Sequence, residues 1–382
     1  MSRRIAFSLA APVGAFVLTV IISTIALWIF GSNPFEAYGD MIGHARKLET
    51  QVDILNRATP FYLSAVAAAI GFRMNLFNIG VEGQYLFAFL IAAQIGSMVD
   101  LPMLIHIPVI MLVAMGTGAL YAGIAGVLKT TRGVNEVVST IMLNAIAVAG
   151  LIAWLQREWQ AELGDNFSSS DLGTNPIDES GLLPTINWLP EIFTREIGLG
   201  KELTGMLLVA VLVGIAYHVL LNRTRFGFDL RASGINPFAA RAGGVPPKRM
   251  VVAAMMLSGA VAGLIGMVEL SDEGKFPPDP IQGLGFQGIA VALLGRNHPG
   301  GMVFSALLFA FLDISSGVLD TTGAASREIA TIMQGIVLLT AVIAYGVASR
   351  FRAREEAAAA ARAIAEDAPE TTEGNETAEV GA

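Results

Sequence analysis

Gly71-Phe72-Arg73-Met74-Asn75-Leu76-Phe77-Asn78-Ile79-Gly80-Val81-Glu82-Gly83-Gln84 places a polar, glycine-rich stretch between two apolar runs. Backbone that leaves a helix at membrane depth must be buried in protein or line a watery cavity. A second stretch of the same character, Gln282-Gly283-Leu284-Gly285-Phe286-Gln287-Gly288, leads into Gly295-Arg296-Asn297-His298-Pro299-Gly300-Gly301. Either stretch can also be an ordinary polar turn at a membrane surface. The apolar runs around them decide the setting. Of 382 residues, 54% are apolar and only 15% charged, and the mean hydropathy is +0.61. A soluble domain carries about 25% charged residues, so one large soluble core is excluded and an all-α integral membrane protein is expected.

Runs of about 20 apolar residues match the hydrocarbon thickness of a bilayer. About ten spans fit, at roughly 5–30, 58–72, 83–99, 103–128, 134–155, 203–222, 249–270, 284–296, 301–319 and 327–348; the second and eighth are short for a full crossing. The run after Arg3 and Arg4 is too long for a signal peptide, whose apolar region is about 7–15 residues, and reads as an uncleaved first helix. Lys and Arg mark the cytoplasmic side. With both termini in the cytoplasm, that side holds Arg3, Arg4, Arg73, Lys129, Arg132, the basic 223–249 loop, Arg296, Arg350, Arg352 and Arg354. The external 157–202 loop carries Glu158, Glu162, Asp165, Asp171, Asp178, Glu179, Glu191 and Glu196. The chain therefore divides into a first helix with an external loop (1–57), a first-half core (58–156), the acidic loop (157–202), a second-half core (203–348) and a disordered cytoplasmic tail (349–382). One polar break follows the second span of each set of five, as a 5+5 inverted repeat with a transport site near its breaks would have it.

Polar groups in or beside spans face a bundle interior or a cavity. Asn75, Asn78, Glu82, Gln84, Asn135, Glu136, Asn144 and Gln287 are the candidates for a substrate pathway. Asn135 and Glu136 fit a helix cap equally well, and Arg73 fits an anchor at the cytoplasmic edge. Machinery for energy conversion is missing. The Gly-Lys pairs run on as Gly200-Lys201-Glu202 and Gly274-Lys275-Phe276, without the Ser or Thr of a phosphate loop. His44, His106, His218 and His298 are scattered, so no zinc-protease helix exists. The absence of cysteine excludes disulfides and thiol chemistry. Most span interiors are Ala, Val, Leu, Ile and Gly, which disfavours a proton- or ion-coupled carrier, although Glu82 or Glu136 leaves that alternative open.

The 223–249 loop is the largest internal one before the tail. In it Asn236 is a fair N-cap, Pro237 suits the first helical position, Ala239 and Ala240 favour helix, and Gly243 closes it. The product is a short helix outside the bilayer: a basic anchor, or a knob that docks into another protein.

Four blocks resemble a known family: Asn75–Gln84, Gly133–Asn144, the loop 226–245 and Leu257–Gly266. Together, over about residues 55–348, they look like permease subunits of ABC importers in the branched-chain amino acid, ribose and nucleoside permease superfamily, with the first two blocks closer to the nucleoside-type branch. The resemblance implies coupling to an ATPase through Phe226, Arg231, Gly234, Asn236, Pro237, Ala239, Ala240 and Arg241. It implies three protein partners: a second related permease, a cytoplasmic ABC ATPase that holds the ATP and Mg, and an extracytoplasmic substrate-binding lipoprotein. No cofactor or metal on this chain and no nucleic acid are implied. The expected cargo is a nucleoside, with a simple sugar, a branched-chain amino acid or a flavin as alternatives. The expected location is the bacterial plasma (inner) membrane.

Overall fold

A computed structural model describes residues 17–160, 172–188, 201–322, 331–340 and 343. Arg3, Arg4 and the start of the first helix lie outside the described residues, as do Glu162, Asp165, Asp171, Glu191 and Glu196 of the acidic loop. So do parts of the 327–348 span, Arg350, Arg352, Arg354 and the tail.

The described chain is nearly all helical. Its helices are α1 (Val17–Ile29), α2 (Pro34–Ala45), α3 (Leu48–Arg73), α4 (Val81–Ser97), α5 (Met103–Arg132) and α6 (Glu136–Glu158). They continue as α7 (Met206–Arg223), α8 (Arg225–Ile235), α9 (Pro237–Ala242) and α10 (Pro247–Glu273). The last are α11 (Leu284–Leu294), α12 (Pro299–Thr322) and α13 (Thr331–Thr340). Five of them, α5, α6, α7, α10 and α12, are long and apolar enough to cross a membrane. The pair α1–α2 makes a sixth if its 115° bend lies within one span. The protein is thus a multi-pass membrane protein by the length and apolarity of its helices.

Burial separates an inner layer from an outer one. From Ala58 to Gly71 every residue of α3 is buried, so this helix is covered on all sides. Most of α4 is buried with it. About the same depth of cover reaches α10, where 67% of the apolar window is buried, against 22% for α5 and α6. The outer helices keep an apolar surface that lipid or another subunit must cover.

Two expectations need correction. The segment 31–57 is not a loop: α2 and the first turns of α3 occupy it. The second helix is also not short, since it runs 26 residues from Leu48. Hydropathy stops at Arg57 because the preceding turns are polar. Tertiary partners hold them instead. Asn56 donates to the Glu202 carbonyl at 2.7 Å and accepts from the Thr204 amide at 3.1 Å. Arg57 pairs with Asp313 of α12, and Val52 packs with Ile186 and Leu203.

Small residues set the closest helix contact. A Cβ built on Gly118 of α5 would overlap the Gly259 carbonyl, and one on Gly263 would overlap the Ala114 carbonyl. This backbone-on-backbone approach of α5 and α10 is how membrane helices gain packing without a hydrophobic drive, and it uses the small-residue stretch Ser258–Gly266.

Candidate functional site at the junction of two helix breaks

The two polar stretches, about 200 residues apart in sequence, meet in the bundle. The first begins as a tight turn. The amides of Met74 and Leu76 both donate to the Gly71 carbonyl, at 2.9 and 3.0 Å, and Asn75 takes a left-handed φ of 56°. From there the chain folds back beside α3. Asn78 and Gln84 pair reciprocally through their amides, at 2.9 Å each way. Asn78 also donates to the Ser258 hydroxyl at 2.8 Å, and that hydroxyl donates to the Ala67 carbonyl at 2.6 Å. Asn144 of α6 bridges the same turn, donating to the Ile79 carbonyl at 2.8 Å and accepting from the Gly83 amide at 2.9 Å. A π-helical stretch, Ile146–Ile152, follows directly. The inner part of the break, around Asn78 and Gly80 to Gln84, is therefore buried in protein and hydrogen-bonded, as polar groups at lipid depth must be.

Glu82 joins this break to the second one. Its Oε1 accepts from the Gly283 amide at 2.6 Å and its Oε2 from the Gly285 amide at 2.8 Å. The side chain is only 7% exposed. Glu82 lies in the first turn of α4, and Gly283 is the N-cap of α11. One carboxylate thus sits at the positive ends of two helices, where an anion is favoured. Tyr85, one turn on, places its hydroxyl 2.6 Å from the Ile281 carbonyl and 3.2 Å from Glu82. Glycine is required at 285, because a Cβ there would lie 2.5 Å from the Glu82 amide nitrogen. Ser64 of α3 pins the same helix start by donating to the Leu284 carbonyl at 2.8 Å. Ser64 is about 14 Å along α3 from its Arg73 end, at 1.5 Å per residue. The junction is therefore well inside the bundle and not a turn at its rim.

The remaining pathway candidates separate from it. Asn135 is an N-cap, its Oδ1 accepting from the Val137 amide at 2.8 Å, and Glu136 pairs with Lys129 at the corner between α5 and α6. Asn75 is exposed at the turn. Gln287 holds Gln334 of α13 at 3.4 Å through its Nε2, and its Oε1 is buried without a partner among the described residues. Arg73 donates to the Asn297 carbonyl at 3.0 Å, tying the end of α3 to the turn after α11. Ser64, Tyr85 and Gln334 were not visible as site residues in the sequence. Gln334 had one usable signal: it is the single amide in the apolar stretch Thr331–Thr340.

The basic loop forms two helices where the sequence suggested one. Thr224 caps α8 by accepting from the Gly227 amide at 3.1 Å. Asn236 caps α9 as its spacing predicted, accepting from the amides of Phe238 and Ala239 at 3.0 Å each. The end of α9 is closed by bonds from Val245 to Ala240 and from Gly244 to Arg241, with Gly244 at a φ of 83°. The left-handed residue is thus Gly244, one beyond the Gly243 expected to close the helix. The eight residues assigned to coupling do not share one face. Gly234 meets the backbone of Met74, where a Cβ would come within 2.7 Å. Ala240 is buried, Phe226 packs on the core, and Arg231 is half-buried. Asn236, Pro237, Ala239 and Arg241 are exposed. Beside them stand three large apolar side chains not singled out from sequence: Phe228, Ile235 and Phe238, the last two 86% and 81% exposed.

A membrane helix bundle with two polar breaks clipped together inside it, and a pair of capped helices outside it, has the form of a multi-pass permease. The chain belongs to the family described as branched-chain amino acid transport system / permease component, whose model matches residues 51–342. It is 32% identical to the guanosine ABC transporter permease protein NupP of Bacillus subtilis, over 77% of this chain and 81% of that one. It is 29% identical to the nucleoside ABC transporter permease protein NupB of Lactococcus lactis, over 87% and 90% of the two chains. A glucose ABC transporter permease protein of Haloferax volcanii is 31% identical over 85% and 86%. No solved structure matches the chain.

Proposed function

We propose that this chain is the membrane-spanning subunit of an ATP-driven importer of nucleosides, working by alternating access. The observation that carries this is the two-sided helix pair α8–α9. Its outer side leaves Phe228, Ile235 and Phe238 exposed, and its inner side seats Gly234 on Met74 at the start of the first break. Motion imposed on the outer side by a partner reaches the buried junction as a rigid-body displacement. The partners are a cytoplasmic ABC ATPase, which supplies ATP and Mg, a second related permease, and an external substrate-binding lipoprotein. The chain itself hydrolyses nothing. The setting is the bacterial plasma membrane, with ten spans in a 5+5 inverted repeat and both termini inside, divided at 57, 156, 202 and 348. The junction residues Asn78, Glu82, Gln84 and Asn144 hold the pathway in shape; Gln287 remains available to cargo.

A nucleoside cargo rests on the guanosine and nucleoside permeases among the relatives, and a simple sugar is the competing cargo because of the glucose permease. A proton-coupled carrier needs a carboxylate free to exchange its proton during transport. Glu82 is engaged by two backbone amides and Glu136 by Lys129, which disfavours that class.

The test is uptake of labelled guanosine and labelled glucose by cells expressing the chain with its partner genes. Guanosine uptake should stop on ATP depletion and persist when an ionophore collapses the proton gradient. The opposite pattern would remove the ATP-driven class, and glucose uptake without guanosine uptake would remove the cargo.

A further inference from the structure

Helices α4 and α11 open with the same residue types at matching positions, although the cap backbones differ, Gly80 at a φ of −77° and Gly283 at 88°. Each has a glycine N-cap, Gly80 and Gly283, and each carries glutamine at its fourth residue, Gln84 and Gln287. Both glutamine amides donate back to the cap carbonyl at 3.0 Å. Their side chains differ in fate. Gln84 is saturated by its reciprocal pair with Asn78, two residues before the cap. At the corresponding place before Gly283 stands Ile281, which offers no side-chain partner. Gln287 turns instead to Gln334 on α13, which is 5% exposed and donates to the Phe309 carbonyl at 3.4 Å. That leaves the Gln287 Oε1 buried and unpaired among the described residues. Turning the amide over would set two carbonyl oxygens face to face, so one end stays unsatisfied in either orientation.

An orphaned amide carbonyl inside a membrane bundle is costly, and polar groups kept there mark ligand pathways. Gln287 is one residue from Gly288, which packs on Ser64 in the interior of the bundle, the depth at which alternating-access proteins hold their cargo. We propose that the Gln287–Gln334 pair is the cargo contact of this permease, with Gln287 Oε1 accepting a hydrogen bond from an N–H or O–H of the ligand. The ligand class is a small polar molecule with a donor beside an acceptor, as on the lactam edge of a guanine or uracil base. The proposal rests on the importer function stated above and adds the residues that select the cargo.

The test compares Gln287→Leu, Gln334→Leu and Gln84→Leu in the full transporter, reading labelled guanosine uptake per membrane-inserted permease and thermal stability of the purified complex. Gln287→Leu removes an unpaired oxygen and gives up only the long 3.4 Å bond to Gln334, so stability should fall less than in Gln84→Leu while uptake falls about tenfold, the worth of one hydrogen bond. Gln287→Asn should retain part of the uptake. Gln334→Leu should follow Gln287→Leu in uptake. Gln84→Leu should lower stability, because it strands Asn78. Uptake within twofold of the unaltered transporter in Gln287→Leu overturns the proposal. Loss of uptake matched by loss of stability does so too, since that is a structural role. If the unaltered transporter takes up no guanosine, the cargo assignment fails first, and the two failures are told apart by that control.

Discussion

Replacing Glu82 with alanine tests whether the two breaks are held together by one carboxylate. The change strands the amides of Gly283 and Gly285, which now donate at 2.6 and 2.8 Å to a side chain that is almost fully buried. A buried donor left without a partner costs about 1–3 kcal/mol. Two of them give a loss of about 2–6 kcal/mol at most, since the Gly283 amide is only partly buried, reduced further by whatever the burial of the carboxylate itself costs. Glu82→Gln keeps the shape and one acceptor oxygen, but turns an amide NH2 toward the second donor; about half the loss is expected. Glu82→Asp is shorter by a methylene and reaches one amide at most, so it should fall between the two or near Gln. The assay is thermal unfolding of the purified complex in detergent, with nucleoside uptake measured in parallel. The expected order of destabilisation is Ala above Asp and Gln, with uptake following stability. Alanine and glutamine variants of equal stability would refute the clip. So would a Gln variant that is stable yet transports nothing, because that outcome belongs to a proton carrier.

Phe238→Asp places a charge on an 81% exposed apolar face and should abolish co-purification of the ATPase while leaving the melting temperature of the permease within a degree or so of the original, about the expectation for a surface change. Gly234→Val acts on the inner side of the same helix pair, against the backbone of Met74; it should lower stability by about 1–3 kcal/mol or more through overpacking, measured by the same melts, and a variant as stable as the parent would dissociate α8 from the first break. Gly259→Leu forces α5 and α10 apart where a Cβ already overlaps the Gly118 carbonyl, so expression of folded permease, followed by size-exclusion chromatography, should collapse. Asn236→Ala removes a cap that serves two amides, at about 1 kcal/mol, and should weaken coupling without affecting insertion, read as ATP hydrolysed per nucleoside imported.

Local chemistry was legible wherever it is written in neighbouring residues. Asn236 and Pro237 announce the start of α9, and the two polar, glycine-rich stretches stand apart from the apolar runs around them. The π-helical stretch after Asn144 and the first helix of the basic loop were not legible, since nothing in Arg225–Ile235 repeats an apolar face strongly enough to separate helix from loop. Length errors had one cause. Apolarity ends at Ala58, but the helix continues outward to Leu48 because Asn56 and Arg57 find partners more than a hundred residues away.

By itself the sequence determined the membrane setting, the two polar breaks inside it and the family. Each depends on composition or on residues within a few positions of one another, so linear order carries it. Only the tertiary structure decided which polar residues are occupied and which are free. Glu82 and Gln287 look alike as isolated polar letters at helix starts. One is consumed by amides some 200 residues away, and the other keeps an oxygen that no part of the described chain satisfies. Hydrogen-bond satisfaction is a property of three-dimensional neighbours, and linear order does not carry it.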